Sequence, residues 1–176
     1  MSHGKTISLL PLAARHLERT RAWVNDPYLM RLLNRTDHVT EAEHQDWFNR
    51  LKDRTDCVYF AIETSDNHEH IGNIWLWDID ERHRRAEVRV VIGNHDRLGK
   101  GLGSEAIALV SDLAFDQLKL HKVYAYVLAI NPRARAAFEK AGFAVEGVLR
   151  QDRWTGDAFA DVFLLGKLND EHAETA

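Results

Sequence analysis

Gly99, Gly101 and Gly103 stand at alternate positions between an apolar, β-branched run and an amphipathic stretch. The run of Val88, Val90, Val91 and Ile92 stops at Gly93 and crosses a short polar connection; beyond the glycines the chain resumes as L-G-S-E-A-I-A-L-V-S, a helical pattern. Backbone N–H groups at a helix start are unpaired donors beside the positive end of the macrodipole. Side chains would block an approaching anion there; glycines leave room, and Lys100 adds charge. That is the chemistry of a diphosphate cradle. The dinucleotide fingerprint is not met, because the third glycine spacing is wrong and no acidic residue follows at a strand end at the right distance. The nucleotide-triphosphate loop is not met either, since no Gly-Lys-Ser/Thr follows. On local grounds alone, a flexible turn ahead of a helix is the alternative.

Other reactive side chains carry weaker signals. Cys57, the single cysteine, lies in C-V-Y-F-A-I, a run that reads as a buried strand, so it is core filler rather than a nucleophile. The ten histidines are scattered without a Cys or carboxylate partner at ligand spacing, and no metal is expected. A net charge of -4 argues against general nucleic-acid binding, and the basic strip Arg82 to Arg85 reads as a solvated loop.

At 176 residues the chain suits one compact domain, 1–176. With 28% charged and 45% hydrophobic residues the composition is ordinary for a globular protein. Its apolar runs are too short to span a bilayer, and M-S-H-G-K lacks a secretory apolar core, so a soluble, cytoplasmic protein is expected.

The elements that must position the glycine loop follow from pattern. Ile7 to Leu10 reads as an edge strand ended by Pro11, and Ala14 to Trp23 as a helix closed by Asn25-Asp26-Pro27. Met30, Leu32 and Leu33 continue as a short second helix. Thr40-Glu41-Ala42-Glu43 is a capping box opening a third, with Trp47, Phe48 and Leu51 on its apolar face. Cys57 to Glu63 and Ile71 to Asp78 form a hairpin that leads into the strand before the glycines. Trp75 and Trp77 share a strand face with Asn73 and read as sheet-face residues. After the central helix, ending near Leu118, Val123 to Ile130 is a strand expected parallel to the organising strand, because a helix crosses between them. Parallel strands that splay leave a crevice at their carboxyl ends. Asn131-Pro132 caps a helix that ends at Gly142, and Phe143 to Leu149 and Ala158 to Leu165 close the sheet.

R-L-G-K-G-L-G-S-E-A, then K-V-Y-A-Y-V, N-P-R-A-R-A-A-F-E-K-A-G-F and E-G-V-L-R, resemble the GNAT-superfamily N-acetyltransferases. Within them the likeness is to the branch of ribosomal-protein N-terminal, spermidine and amino-sugar acetyltransferases. It covers nearly the whole chain and is strongest from Glu87 to Leu165. The resemblance implies an α+β fold: a mixed, mostly antiparallel sheet with a parallel splayed strand pair and helices on both faces. It implies an enzyme that moves an acetyl group from acetyl-CoA to a primary amine by direct attack.

Its site residues carry over by position. Val90, Val91 and Ile92 would hydrogen-bond the pantetheine arm through exposed backbone groups, as in β-augmentation. The pyrophosphate would sit on the amides of Leu98, Gly99, Lys100, Gly101, Leu102, Gly103 and Ser104, with Arg97 and Lys100 near phosphate oxygens. Leu98 stands where the family motif has Gln or Arg, which weakens a side-chain contact only. Asn131 matches an asparagine that contacts the cofactor near its thioester end. Phe138, in the same segment, stands where many relatives carry a tyrosine that protonates the departing thiolate. A phenyl ring cannot donate a proton, so water, Ser104, Tyr124, Tyr126 or no dedicated acid remains for that step. Glu87 resembles the glutamate that acts as base, with Asp78, Asp80 and His83 in reserve; its alternative is a partner for an arginine such as Arg84 or Arg89.

In this superfamily the amino-terminal helices shape the acceptor pocket, which makes Asn25, Asp26, Asn34, Asp37 and His38 substrate-side candidates or else caps and turn formers. Arg31, Arg35 and Arg50 beside Glu41, Glu43 and Asp46 give mixed signs, where a polyamine would need a strongly acidic pocket. A phosphate-bearing acceptor such as a nucleotide-linked amino sugar is therefore the first expectation. A polyamine or a protein amino terminus is the alternative acceptor, and a non-catalytic acyl-CoA-binding regulatory module is the alternative of another class. The partner expected is a small-molecule amine, with no nucleic acid or membrane, and a homodimer is left open.

Overall fold

The computed structural model describes residues 2–169. Their strands form one eight-stranded sheet in the order β1-β2-β3-β4-β5-β6-β8-β7. In chain order they are β1 (Ser2–His3), β2 (Ile7–Pro11), β3 (Val58–Thr64), β4 (His70–Asp80), β5 (Arg85–Ile92), β6 (Lys122–Leu128), β7 (Ala144–Trp154) and β8 (Phe159–Leu168). The helices are α1 (Leu17–Val24), α2 (Pro27–Leu32), α3 (Glu41–Leu51), α4 (Leu102–Asp116) and α5 (Pro132–Lys140). The predicted first helix is divided, since residues Ala14–His16 form a separate 3-10 turn.

The caps explain where helices begin. The Thr40 hydroxyl accepts from the Glu43 amide at 3.3 Å, while the Glu43 carboxylate accepts from the Thr40 amide at 2.8 Å. Asn131 Oδ1 accepts from the Ala134 amide at 3.1 Å, with Pro132 at the first helical position.

Alternation along the strands then assigns two faces. Phe60, Ile62, Ile74, Leu76, Ala86, Val88, Val123 and Ala125 point to one side and form the core with the apolar stripe of α4, Ala106, Ile107, Val110 and Ala114. Tyr59, Asn73, Trp75, Glu87, Val91 and Tyr124 point to the other, where α1 and α3 lie; Asn73 donates to Thr20 of α1 at 3.0 Å.

All pairings are antiparallel except β5 with β6, and that pairing is short. It covers Arg85↔Lys122, Ala86↔Val123 and Glu87↔Tyr124, after which β6 turns to pair β8 alone. From Val88 to Ile92 the β6-facing edge of β5 is therefore free. This is the mixed sheet with a parallel splayed pair and helices on both faces expected from the sequence. The closing hairpin is longer than predicted, because β7 passes a register shift between Leu149 and Arg153 and continues to Trp154.

Candidate active site

Two cavities lie side by side along β5 and share wall residues. The first, of about 290 Å3, is walled by Val90, Val91 and Ile92 on the free edge of β5, by Arg97 to Gly99 and Gly101 to Ser104, and by Asn131 and α5. Gly99 and Gly101 have φ of 76° and 81°, left-handed values that a side chain disfavours, and Gly101 is the N-cap of α4. The first backbone bond of the helix runs from the Glu105 amide to the Gly101 carbonyl at 3.1 Å, so the amides of Leu102, Gly103 and Ser104 precede it. A Cβ at Gly101 would stand 3.6 Å from Lys140 Nζ, which faces this cradle across the cavity. The charged lining side chains are Arg97, Arg133 and Lys140, all cationic. Open amides, a left-handed glycine turn and three cations fit the diphosphate of a coenzyme A molecule.

Arg97 is held in place by Glu69, which accepts from its Nη2 at 2.6 Å and its Nε at 3.2 Å and also takes a bond from Asn94 at 2.8 Å. These hydrogen bonds, then the charge of Glu69, hold the guanidinium above its ordinary pKa. Ser104 spends its hydroxyl on the Gly101 carbonyl at 2.8 Å.

Two assignments from sequence are corrected here. Lys100 is exposed and lies outside the cavity lining, whereas Lys140 of α5 lines it. Phe138 is 3% exposed, packs against Phe143 at 5.0 Å in the core, and does not line the cavity. The helical period turns Phe138 inward and presents Ala134, Ala137 and Lys140 to the opening.

Glu87 lies at the last paired register before the splay and is 7% exposed. Its carboxylate accepts two bonds from Arg89, at 2.8 and 2.7 Å, so the arginine partnership weighed for it exists. Burial pulls the Arg89 guanidinium down, but the hydrogen bond and charge of Glu87 outweigh it and hold Arg89 above its usual value. A carboxylate has about four lone-pair sites, and Arg89 takes two of them. Tyr124, directly across in register, has its phenol pushed up by burial and then by the charges of Asp78 and Glu87. Of the reserve bases, Asp80 and His83 bond each other at 2.7 Å in the β4–β5 turn, and Asp78 sits exposed at φ 52°; like Glu87 and Tyr124 they stand outside both cavity linings, but only Glu87 and Tyr124 flank the point where β5 and β6 part.

The second cavity, of about 220 Å3, lies between α1, α3 and the opposite sheet face. It shares Val91 and Leu33 with the first. Its walls are Trp23 and Thr20 of α1, His44 and Trp47 of α3, Tyr59, Asn73 and Trp75 of the sheet, and Val24, Arg35 and Val39 beside them. Trp23 is seated by Gly93, where a Cβ would come within 2.0 Å of the indole. The five substrate-side candidates are not in this lining. Asn25 clamps the Val39 backbone at 2.9 and 2.8 Å, Asp26 caps α2 at 2.9 Å, and Asn34 takes φ 51° in a turn. Asp37 and His38 are exposed. Turn and cap chemistry claimed the polar residues, and the wall fell to aromatic ones whose sequence signal was that of core.

Cys57 is half-buried, and burial pushes its thiol up, away from nucleophilic use. Among the described residues no group of three or more His, Cys, Asp or Glu could hold a metal ion, and no helix is long and apolar enough to cross a membrane.

Residues 6–144 match the family model described as an acetyltransferase (GNAT) domain. The chain is 29% identical over 153 residues to the spermidine N(1)-acetyltransferase of Escherichia coli K12, covering 86% of this chain and 80% of that one. It is 31% identical over 180 residues to the probable N-acetyltransferase YjcK of Bacillus subtilis, covering 96% and 97%. A spermidine N-acetyltransferase from Vibrio cholerae, crystallised in complex with CoA and spermine, superposes with a TM-score of 0.87 at 25% identity, covering 94% of this chain and 96% of that one. With the family model spanning most of its length, the chain belongs to the GNAT acetyltransferases and is an N-acetyltransferase that draws its acetyl group from acetyl-CoA.

Proposed function

We propose that this protein acetylates the primary amine of a small molecule, with Glu87 as general base and Tyr124 as proton donor. The observation that carries this reading is that the two cavities share a wall, made of Val91 on the free edge of β5 and Leu33 at the end of α2. Acetyl-CoA supplies the acyl group as an activated thioester. The β5 edge offers backbone groups to one extended arm, and the α4 amino terminus with Arg97 and Lys140 takes the phosphates. An ammonium has no lone pair, so the amine must lose a proton, and the unfilled lone pairs of Glu87 accept it directly or through water. Tyr124 keeps its phenolic proton at neutral pH and can release it at the splay. Ser104 is less suited, since its hydroxyl is committed at the phosphate end.

The acceptor is the finer question. Relatives named for spermidine support a polyamine, whereas no relative reported above supports the nucleotide-linked amino sugar expected from sequence. One observation favours a second reading, because the acceptor-side cavity has no carboxylate in its wall.

Self-association belongs to the same proposal. Trp154 and Phe159, 54% and 60% exposed, pair at 5.1 Å on the β7–β8 hairpin, and a V. cholerae relative is described as dodecameric. Light scattering of wild type against Trp154→Ser would show a smaller assembly in the variant.

The test of the function is thiol release from acetyl-CoA by wild type and Glu87→Gln across polyamines, amino sugars and short peptides. Turnover in wild type that is lost in the variant, with acetyl-CoA still bound, supports it. Binding without turnover of any amine opposes it.

A further inference from the structure

We infer that Arg89 is a positioning residue for the acetyl transfer: its guanidinium fixes the plane of the Glu87 carboxylate and returns that group to its charged form for each cycle. This rests on the reading of Glu87 as base and names what sets the base.

The two residues share one strand and one face. Both belong to β5, two positions apart, so the alternation of the strand brings their side chains together with no loop in the arrangement. Nε of Arg89 donates to one carboxylate oxygen of Glu87 at 2.8 Å, and Nη2 donates to the other at 2.7 Å. Such a fork holds the carboxylate against rotation and leaves a lone-pair site on each oxygen for a proton. The partners differ in exposure, the Glu87 side chain at 10% and the Arg89 side chain at 42%. Desolvation therefore falls mainly on the carboxylate, and the partly hydrated cation offsets it.

The other charged groups around Glu87 do not duplicate this bond. Arg85, two residues earlier in β5, stands 3.9 Å from Asp80, and its guanidinium lies 5.8 Å from the Tyr124 ring. Tyr124 faces Glu87 from β6 with its phenol pushed up, so it carries no charge at neutral pH. From β4 the residue in register is Trp77, which has no charge, and the neighbouring Asp78 is exposed. Arg54 packs on Trp77 at 3.9 Å and donates from Nε to Asp56 at 2.8 Å. The Trp77 ring also supports Arg89, whose guanidinium lies 5.2 Å from it. Among the described residues, Arg89 is the only cation paired with Glu87.

In the reaction the acceptor ammonium gives its proton to a free lone pair of Glu87, and water takes that proton before the next cycle. Arg89 favours the second transfer, because a cation bonded to a carboxylate opposes its protonation. With a neutral residue in that place, a carboxylate so buried takes up its proton at higher pH.

The experiment follows the Glu87 carboxyl by carbon-13 NMR in the full chain with CoA bound, its signal identified by absence from Glu87→Gln. In Arg89→Gln it should titrate about one pH unit higher than in wild type, and Arg85→Gln should move it less. Arg89→Lys keeps the charge without the fork and should titrate as wild type does. Steady-state kinetics then use acetyl-CoA with whichever of spermidine, glucosamine or a short peptide turns over fastest. The acid limb of kcat/KM should rise about one pH unit in Arg89→Gln and stay in place in Arg89→Lys. The kcat of Arg89→Lys should fall about tenfold at every pH through lost orientation, which keeps the test open if Arg89→Gln does not fold. The titration needs no acceptor and decides alone where none of these amines turns over. An unmoved Glu87 titration in Arg89→Gln, equal shifts in Arg85→Gln and Arg89→Gln, or wild-type kcat in Arg89→Lys overturns the inference. Full kcat in Glu87→Gln would instead remove Glu87 as base, a result that no Arg89 variant imitates.

Discussion

Glu87 and Tyr124 oppose each other in the last register that β5 and β6 share, on the same sheet face, and the strands part immediately beyond them. A carboxylate and a phenol thus stand together where the free edge begins. Burial and the nearby Asp78 and Glu87 charges keep the phenol protonated well above neutral pH, the state a proton donor requires. Tyr124→Phe should lower kcat about 10²-fold with the KM for acetyl-CoA unchanged, as should Glu87→Gln. Tyr126→Phe, at an exposed position two residues further on, should leave kcat as it is. Steady-state kinetics on the three variants measures this, and equal losses at Tyr124 and Tyr126 would remove Tyr124 from the mechanism.

Gly101 and Gly103 should separate backbone strain from steric filling. Gly101 has φ 81° and caps α4 with Lys140 Nζ opposite. Gly101→Ala should lose about 1 kcal/mol of stability through left-handed strain and raise the KM for acetyl-CoA severalfold. Gly103 lies inside the helix, and its added Cβ would meet only Ile92 Cγ1 at 3.6 Å, an ordinary contact. Gly103→Ala should be at least as stable as wild type, since alanine favours a helix over glycine. Urea midpoints and acetyl-CoA titrations on the pair distinguish the two effects.

The contrast between the halves of the site shows what was legible. The strand, glycine loop and helix of the proposed donor half were readable because they are contiguous, and the groups proposed to bind are backbone amides that need only room. Asn131 was readable for the same reason, as a cap followed by proline. The acceptor half was not, because its wall gathers Trp23, Leu33, His44, Trp47, Tyr59, Trp75 and Val91 from separate elements. Each of these has an apolar pattern indistinguishable in sequence from core. The polar residues that looked functional, Asn25 and Asp26, were consumed by a loop clamp and a cap. Sequence pointed to Lys100 where Lys140 lines the cavity, because only tertiary packing says which lysine faces Gly101. The one available signal was the helical period of α5, which places Lys140 on the face of Ala137 and away from Phe138.

Lys140 should prove a phosphate contact with a measurable salt signature. It stands across the cradle from Gly101, and Arg133 lines the same wall. Lys140→Ala should weaken CoA binding about tenfold at low ionic strength, and the difference should shrink as salt screens the remaining charges. Lys100→Ala, at an exposed position outside the lining, should bind CoA as wild type does. Calorimetric titration of both variants at two ionic strengths gives the comparison, and the reverse ranking would restore Lys100 to the site.

Acid should destabilise the fold through the histidines under α1. His70 is buried between His16 and Trp23, with ring centroids 4.7 and 4.6 Å away. Its Nε2 bonds Asn73, and the ring is buried, so a second proton would place a charge away from water. Burial lowers its pKa from 6.5 to about 4, against the partial opposition of the Asn73 bond. Because the folded pKa lies below the unfolded one, the unfolded chain takes up the proton first as pH falls. Stability is fully present above pH 6.5, declines between 6.5 and about 4, and levels off below. The His70 contribution to that decline is about 2 kcal/mol after allowance for solvent. His16 and His44, both lowered chiefly by burial, act in the same direction as pH falls below 6.5. Urea midpoints from pH 8 to 4 should be flat to neutrality and then fall, and His70→Gln, which keeps an amide donor for Asn73, should flatten the slope above the range where carboxylates titrate. An unchanged slope in that variant would place the acid sensitivity elsewhere in the molecule.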